Sequence, residues 1–188
     1  MKVIAIGGKS GSGKTTLGKF LNENLPNSIL INFDLLNRNL MENSEHIKYA
    51  VTLFSENILD DDGKINKKLL ADIIYCNSDL YYAWVGHMLM ACDNEVNTIV
   101  KNTEYDYLII EHANVMYSRF CKSADYVILA KASFGTRLKR LKERDGVDKK
   151  LLKLRDKNCH IVMGYNIKYN GKNEIDILNE IKKLDMNN

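Results

Sequence analysis

Gly8-Lys9-Ser10-Gly11-Ser12-Gly13-Lys14-Thr15 decides how this chain is read. It fits G-x-x-x-x-G-K-[ST] at every position, the spelling of a loop that cradles phosphates. Glycines let such a backbone curl until successive N–H groups converge on phosphate oxygens. Lys14 would carry a mobile positive charge to the outer phosphates, and Thr15 would offer a hydroxyl to Mg²⁺. A helix starting near Thr15 adds the positive end of its dipole. A chance glycine-rich turn could share the spelling, so the flanks matter. Lys2 to Ile6 is a short apolar strand. After the loop, Leu17, Phe20, Leu21 and Leu25 fall on one helix face, and Pro26 stops that helix. Strand, loop and helix in that order are the context the motif requires.

Further strand-like runs follow. Ser28 to Asp34 reads as a second strand ending in an acid, Tyr105 to Glu111 as a third ending the same way, and Tyr126 to Ala130 as a fourth. Asn166 to Tyr169 is a short fifth, closed by the turn Asn170-Gly171. Apolar strands separated by helices predict a parallel sheet covered on both faces, with function at the carboxyl ends of its strands. The fold class expected is therefore α/β: a P-loop NTPase-type, five-stranded parallel sheet with helices on both faces.

About 65 residues with helical periodicity separate the second and third strands, too many for a simple crossover. Ile47, Val51, Phe54 and Ile58 form one stripe. Asp62-Gly63 marks a turn, Asn66 can cap a helix carrying Leu69, Leu70, Ile73 and Ile74, and Ser78 can cap another carrying Leu80, Trp84, Val85, Met88 and Leu89. By analogy, small-molecule kinases carry their acceptor-binding lobe at this place. The chain is thus expected to be one domain over residues 1–188, with a helical insertion at about 37–103 and a basic lid at about 133–158. The tail from Asn173 to Leu184 reads as an amphipathic helix with Ile177, Leu178, Ile181 and Leu184 inward.

Composition fits this reading. Of 188 residues, 45% are hydrophobic and 27% charged, an ordinary globular balance. A net charge of +3 does not demand nucleic acid. Cys76, Cys92, Cys121 and Cys159 form no C-x-x-C pair, so neither a zinc site nor a redox motif is indicated, and free thiols are expected. The apolar start is too short for a secretory signal and no run approaches a membrane span, so the cytoplasm is the expected compartment.

Asp34 stands at the end of the strand that follows the loop helix, where a kinase needs a carboxylate to orient the attacking hydroxyl and accept its proton. A helix N-cap would also use an Asp there. Glu111 follows Leu108-Ile109-Ile110 in a Walker B-like pattern; it could hold Mg²⁺ through water, orient the acceptor, or merely sit exposed at a strand end. Arg137, Arg140 and Arg144 repeat at i, i+3 and i+7 on one helical face. They could close over the charge that phosphoryl transfer spreads on equatorial oxygens, or form a solvated face. A nucleic-acid patch is a third reading, but no aromatic platform accompanies it. Arg38, one turn beyond Asp34, could reach an acceptor phosphate or form a surface ion pair. His87, beside Trp84 and Met88, fits packing on its own evidence.

At these residues the chain resembles the dephospho-CoA kinase family, a P-loop kinase group of the nucleoside-monophosphate kinase type. The likeness runs from about Val3 to Leu184. Ile6-Gly7-Gly8 through Thr15 is close to the family's first motif. Asn32-Phe33-Asp34-Leu35-Leu36-Asn37-Arg38 is similar to its Asp-Ala-Asp-x-Ile-Ala-Arg segment, with Asn32 in place of the first acid. Ile58-Leu59-Asp60-Asp61-Asp62-Gly63-Lys64-Ile65-Asn66-Lys67-Lys68-Leu69 resembles the family's most discriminating stretch, which ordinary nucleotide kinases lack. Arg140-Leu141-Lys142-Glu143-Arg144-Asp145-Gly146 looks like its lid signature, and Asn170-Gly171 its late Asn-x-Gly region. The chain departs where the family's His-Pro reads His87-Met88, where its Pro-Leu-Leu reads His112-Ala113-Asn114, and where a Gln reads Arg137.

The resemblance implies ATP-dependent phosphorylation of the 3′-hydroxyl of dephospho-CoA; Mg²⁺, a monomer or weak homo-oligomer, and no nucleic-acid or membrane partner are the accompanying expectations. Among the residues read above, catalytic roles are then expected for Lys14, Asp34 and Arg140. ATP would be held by Gly8, Gly11, Ser12, Gly13, Lys14, Thr15, Thr16, Arg137 and Arg144, Mg²⁺ by Thr15, and the acceptor by Arg38, His87 and Glu111. Two rivals share the loop. One is another nucleoside or nucleotide kinase. The other is an ATP-binding switch without an acceptor; a guanine switch would need Asn-Lys-x-Asp, and Asn66-Lys67-Lys68-Leu69 lacks the acid.

Overall fold

The computed structural model describes residues 1–160 and 162–185. Five strands, β1 (Lys2–Gly7), β2 (Ser28–Asn32), β3 (Tyr107–Glu111), β4 (Tyr126–Ala130) and β5 (Ile167–Tyr169), form one sheet in the order β2-β3-β1-β4-β5. All neighbouring strands run parallel. Parallel neighbours need crossovers, and helices supply them on both faces.

The alternation along β1 shows how the faces divide. Val3 and Ala5 join one core with Ile31, Leu108 and Ile110. Ile4 and Ile6 join the other with Ile109 and Ile128. The second face is covered by α1 (Lys14–Asn24) through Leu17 and Leu21 and by α9 (Glu174–Asp185) through Ile177, Leu178 and Ile181. The first face carries the insertion: α2 (Phe33–Leu40), α3 (Ser44–Phe54), α4 (Lys67–Cys76) and α5 (Ser78–Asn102), with Phe33, Leu40, Ala50, Leu70, Trp84 and Met88 inward. After β3, the short α6 (Arg119–Lys122) leads into β4. Beyond β4, α7 (Phe134–Asp145) and α8 (Lys149–Lys157) enclose a small core of Leu141, Val147 and Leu152.

Caps account for the boundaries. Asn32 accepts from the Leu35 N–H at 2.8 Å, so α2 begins at Phe33 and Asp34 lies in its first turn rather than in β2 as the sequence pattern suggests. Asn66 caps α4 as expected, accepting from Leu69 at 3.0 Å. At α5 the cap is Asn77, which takes the Asp79 and Leu80 amides, and Ser78 is the first helical residue. Leu184, expected inward, is 41% exposed. All four cysteines are free thiols. Among the described residues, no helix is long and apolar enough to cross a membrane.

Candidate active site

The loop between β1 and α1 takes backbone conformations that only glycine holds cheaply. Gly8, Gly11 and Gly13 have φ of 143°, 76° and 101°. A Cβ on Gly8 would stand 2.3 Å from the Ala130 carbonyl oxygen at the end of β4. Gly13 is the left-handed N-cap of α1, which leaves the first amides of that helix free for an anion. The outside of the loop is held by α7. Arg137 donates to the Ser10 carbonyl at 3.2 Å and Arg140 to the Gly11 carbonyl at 3.1 Å. Lys14 is buried, with Nζ 3.4 Å from the Lys9 carbonyl oxygen.

This loop forms one wall of a cavity of about 710 Å³. Gly11, Gly13, Lys14, Thr15 and Thr16 line it, facing Asp34 and Arg38 from α2, Trp84 from α5, and Arg140 and Arg144 from α7. Six cations line the cavity (Lys14, Arg38, Lys67, Arg140, Arg144, Arg155) against three acids (Asp34, Asp145, Glu174). That excess suits a polyanionic guest. A smaller cavity of about 160 Å³ continues past Asp34 between α5 and the end of β3, walled by Phe33, Tyr81, Met88, Cys92 and His112.

Asp34 presents its carboxyl at the junction, with 62% of its side-chain surface accessible. The walls around it would raise its pKa. The His112 imidazole, 3.4 Å away, and the charges of Lys14 and Arg38 outweigh that effect and hold the carboxyl well below the usual range. It is a carboxylate at any ordinary pH.

Glu111 is 2% exposed. The parallel register sets Asn32 opposite it, and the Asn32 amide donates to its Oε1. Its Oε2 is buried without a hydrogen-bond partner. Burial pushes the carboxyl up, opposed by the nearby Thr15 hydroxyl and the Lys14 charge. Ser12 Oγ, also buried, is unpartnered. Orphaned polar atoms beside a glycine cradle fit a phosphate-bound metal ion that completes its shell with water. Among the described residues no cluster of three or more His, Cys, Asp or Glu could hold a metal by itself.

Gly8, Ser12, Glu111, Arg137 and His87, all singled out in the sequence, are absent from the linings of both cavities, and the last two are held by other partners. Arg137 is 4% exposed and is absent from the lining of the large cavity, because both Asp156 oxygens take its guanidinium at 2.8 and 2.5 Å. His87 packs between α3 and α5: its ring stacks on Tyr49 with centroids 3.8 Å apart, and its Nε2 lies 2.9 Å from Nδ1 of buried His46. Trp84, one turn earlier on α5, lines the cavity instead. No local sequence pattern marks Asp156 as a partner of Arg137 or sets His112 beside Asp34. The signals for His112 are its place directly after the acid that ends β3 and its departure from the family's Pro-Leu-Leu.

A family model for dephospho-CoA kinase matches residues 2–158. The chain belongs to the dephospho-CoA kinase family. A dephospho-CoA kinase from Aquifex aeolicus is 26% identical over 136 residues, covering 71% of this chain and 68% of that one. One from Fusobacterium nucleatum is 24% identical over 150 residues, 79% of this chain and 76% of that protein. A third, from Dehalococcoides mccartyi, is 31% identical over 75 residues, and there the match spans only 37% of the relative's length. Among solved structures, a Thermus thermophilus protein superposes with a TM-score of 0.73 at 18% identity, covering 98% of this chain and 96% of that one. A shikimate kinase from Aquifex aeolicus gives 0.52 at 16% identity, with 96% and 94% covered. These two likenesses establish the fold, a five-stranded parallel sheet with helices on both faces.

Proposed function

We propose that this dephospho-CoA kinase family member transfers the γ-phosphoryl group of ATP to the 3′-hydroxyl of dephospho-CoA, giving CoA and ADP. The observation that carries the reading is a cavity that has the phosphate loop on one wall and the Asp34 carboxylate on the other. A donor and an acceptor can meet there without leaving the cleft.

The loop amides and Lys14 bind the triphosphate from the β1 side. Because Arg137 and Arg140 already occupy the Ser10 and Gly11 carbonyls, those acceptors do not compete for the space in which phosphate oxygens gather. Thr15 would hold Mg²⁺, and the orphan oxygen of Glu111 would accept from water on it; the ion supplies charge neutralisation on the β- and γ-phosphate oxygens. Asp34 takes the proton of the acceptor hydroxyl as the bond from that oxygen to Pγ forms and the bond from Pγ to the bridging oxygen breaks, releasing ADP. The transition state is loose, so a weakly basic carboxylate that aims the hydroxyl suffices. Arg140 and Arg144 stabilise the equatorial oxygens from the α7 side. In this reading residues 133–158 act as the lid and 37–103 as the acceptor side. Arg38 meets an acceptor phosphate, and the small apolar cavity beyond Asp34 receives an uncharged part of the acceptor. The reaction is assigned to the cytoplasm.

Coupled detection of ADP with a panel of acceptors tests this. The expected result is turnover that saturates with dephospho-CoA and stays far lower with nucleosides, nucleoside monophosphates or no acceptor. An ADP rate independent of acceptor would point to an ATP switch.

A further inference from the structure

His112 ends β3 in a fixed place. Its N–H donates to the Ile6 carbonyl at 3.2 Å, extending the β1–β3 ladder by one rung. Its ring lies against Phe33 with centroids 6.1 Å apart, and the side chain is 11% exposed. The Asn114 N–H lies 3.3 Å from Nδ1. A backbone N–H can only donate, so Nδ1 is the acceptor and the ring proton sits on Nε2. That Nε2 is the atom 3.4 Å from Asp34 Oδ1. The ring therefore offers a donor to one oxygen of the carboxylate and leaves Oδ2 for another partner. Catalytic hydrogen bonds are often this long in unliganded sites and shorten in the substrate complex.

The other groups around Asp34 do not duplicate this. Arg38 shares α2 with it and Lys14 faces it from the loop, and both act on it through charge across the cavity. Asn32 is occupied with Glu111 and the Leu35 amide.

We propose that His112 is a positioning residue for Asp34. In its Nε2–H form it holds Oδ1, so that Oδ2 faces the acceptor hydroxyl and receives its proton. This deepens the kinase reading above and rests on it. Asn114 completes the device. Its own side chain is fixed by donation to the Tyr81 hydroxyl at 2.7 Å and by acceptance from the His160 N–H at 3.1 Å, which keeps its backbone amide at Nδ1. The arrangement has the logic of an oriented base: a second group fixes the rotamer of the group that does the proton chemistry.

Two measurements on the full chain test it. Nitrogen-15 NMR of the imidazoles needs no acceptor. His112 should show the Nε2–H tautomer, and its signals should shift in Asp34→Asn. An Nδ1–H tautomer, or signals indifferent to Asp34→Asn, overturns the proposal. Kinetics with dephospho-CoA and ATP form the second arm. His112→Ala should lower kcat about 10-fold or more with KM for ATP unchanged. His112→Gln, which keeps a donor, should recover most of that loss, and His112→Ala should cost nothing further in an Asp34→Asn background. Equal loss in His112→Ala and His112→Gln that persists without Asp34 marks a merely structural role. Should the wild-type chain not turn over dephospho-CoA, the kinase reading fails, while the NMR arm still decides whether His112 orients Asp34.

Discussion

Buried Arg137 and partly buried Asp156 form a bidentate ion pair beneath the phosphate loop, and the same guanidinium reaches the Ser10 carbonyl. Lys9 adds a second cation to Asp156 at 3.4 Å. The pair ties α7 and α8 to the outer side of the loop. Breaking a buried pair strands a charge and costs about 3–5 kcal/mol. Arg137→Ala should therefore lower the unfolding midpoint by about 10 °C or more for a domain of this size. Arg140→Ala, on an exposed side chain at the cavity rim, should leave the midpoint nearly unchanged and cut kcat about 10²-fold. Differential scanning calorimetry beside steady-state kinetics checks both.

Asp34→Asn should lower kcat roughly 10²-fold or more, as for a lost general base, while calorimetric affinity for ATP stays near wild type. Because the cations around Asp34 hold its pKa down, the acid limb of kcat/KM for the wild-type chain should not come from this residue above the ordinary carboxylate range. The pH profile of the wild type checks the second statement.

His87→Ala should leave KM for the acceptor unchanged, since the ring is engaged with Tyr49 and His46 rather than the cavity. Removing a stacked, half-buried ring should instead cost about 1–2 kcal/mol of stability. Trp84→Ala should raise acceptor KM, because Trp84 lines both cavities. The two KM values decide which helix face meets the acceptor.

Asp185 joins the last turn of α9 to the sheet. It accepts from Lys2 at 2.5 Å, from the Tyr126 hydroxyl at 2.6 Å and from the Tyr107 hydroxyl. Burial would raise its pKa, but these donors and the Lys2 charge outweigh it and lower it. A lowered folded-state pKa means stability that is full above the unfolded value of about 3.9 and is lost as pH falls through the folded value. Asp185→Ala should cost about 1–3 kcal/mol at neutral pH and flatten the acid side of the stability profile, which urea unfolding across pH would show.

Much of this was legible in the sequence. The phosphate loop has a spelling set by its own backbone, and each strand is a local apolar run, so the sheet and the nucleotide wall could be read directly. Asp34 could be placed at the strand end, though not in the first turn of α2, because only the Asn32 cap decides that boundary. Arg137 and Arg140 look alike along the chain. What separates them is Asp156, 19 residues away and brought under the loop by the turn between α7 and α8. His112 met Asp34 through the parallel register of β2 and β3, a long-range fact that no local pattern encodes. The surroundings of His87 have the same kind of cause: the crossing of α3 and α5 sets its ring against Tyr49.

The most direct measurement is mass spectrometry, with phosphorus NMR, of the product formed from purified chain, ATP, Mg²⁺ and dephospho-CoA. The account predicts a product heavier than dephospho-CoA by one phosphoryl group, carried on the 3′-oxygen, and one ADP for each product formed. Unchanged dephospho-CoA, or a phosphoryl group on any other atom, would contradict it.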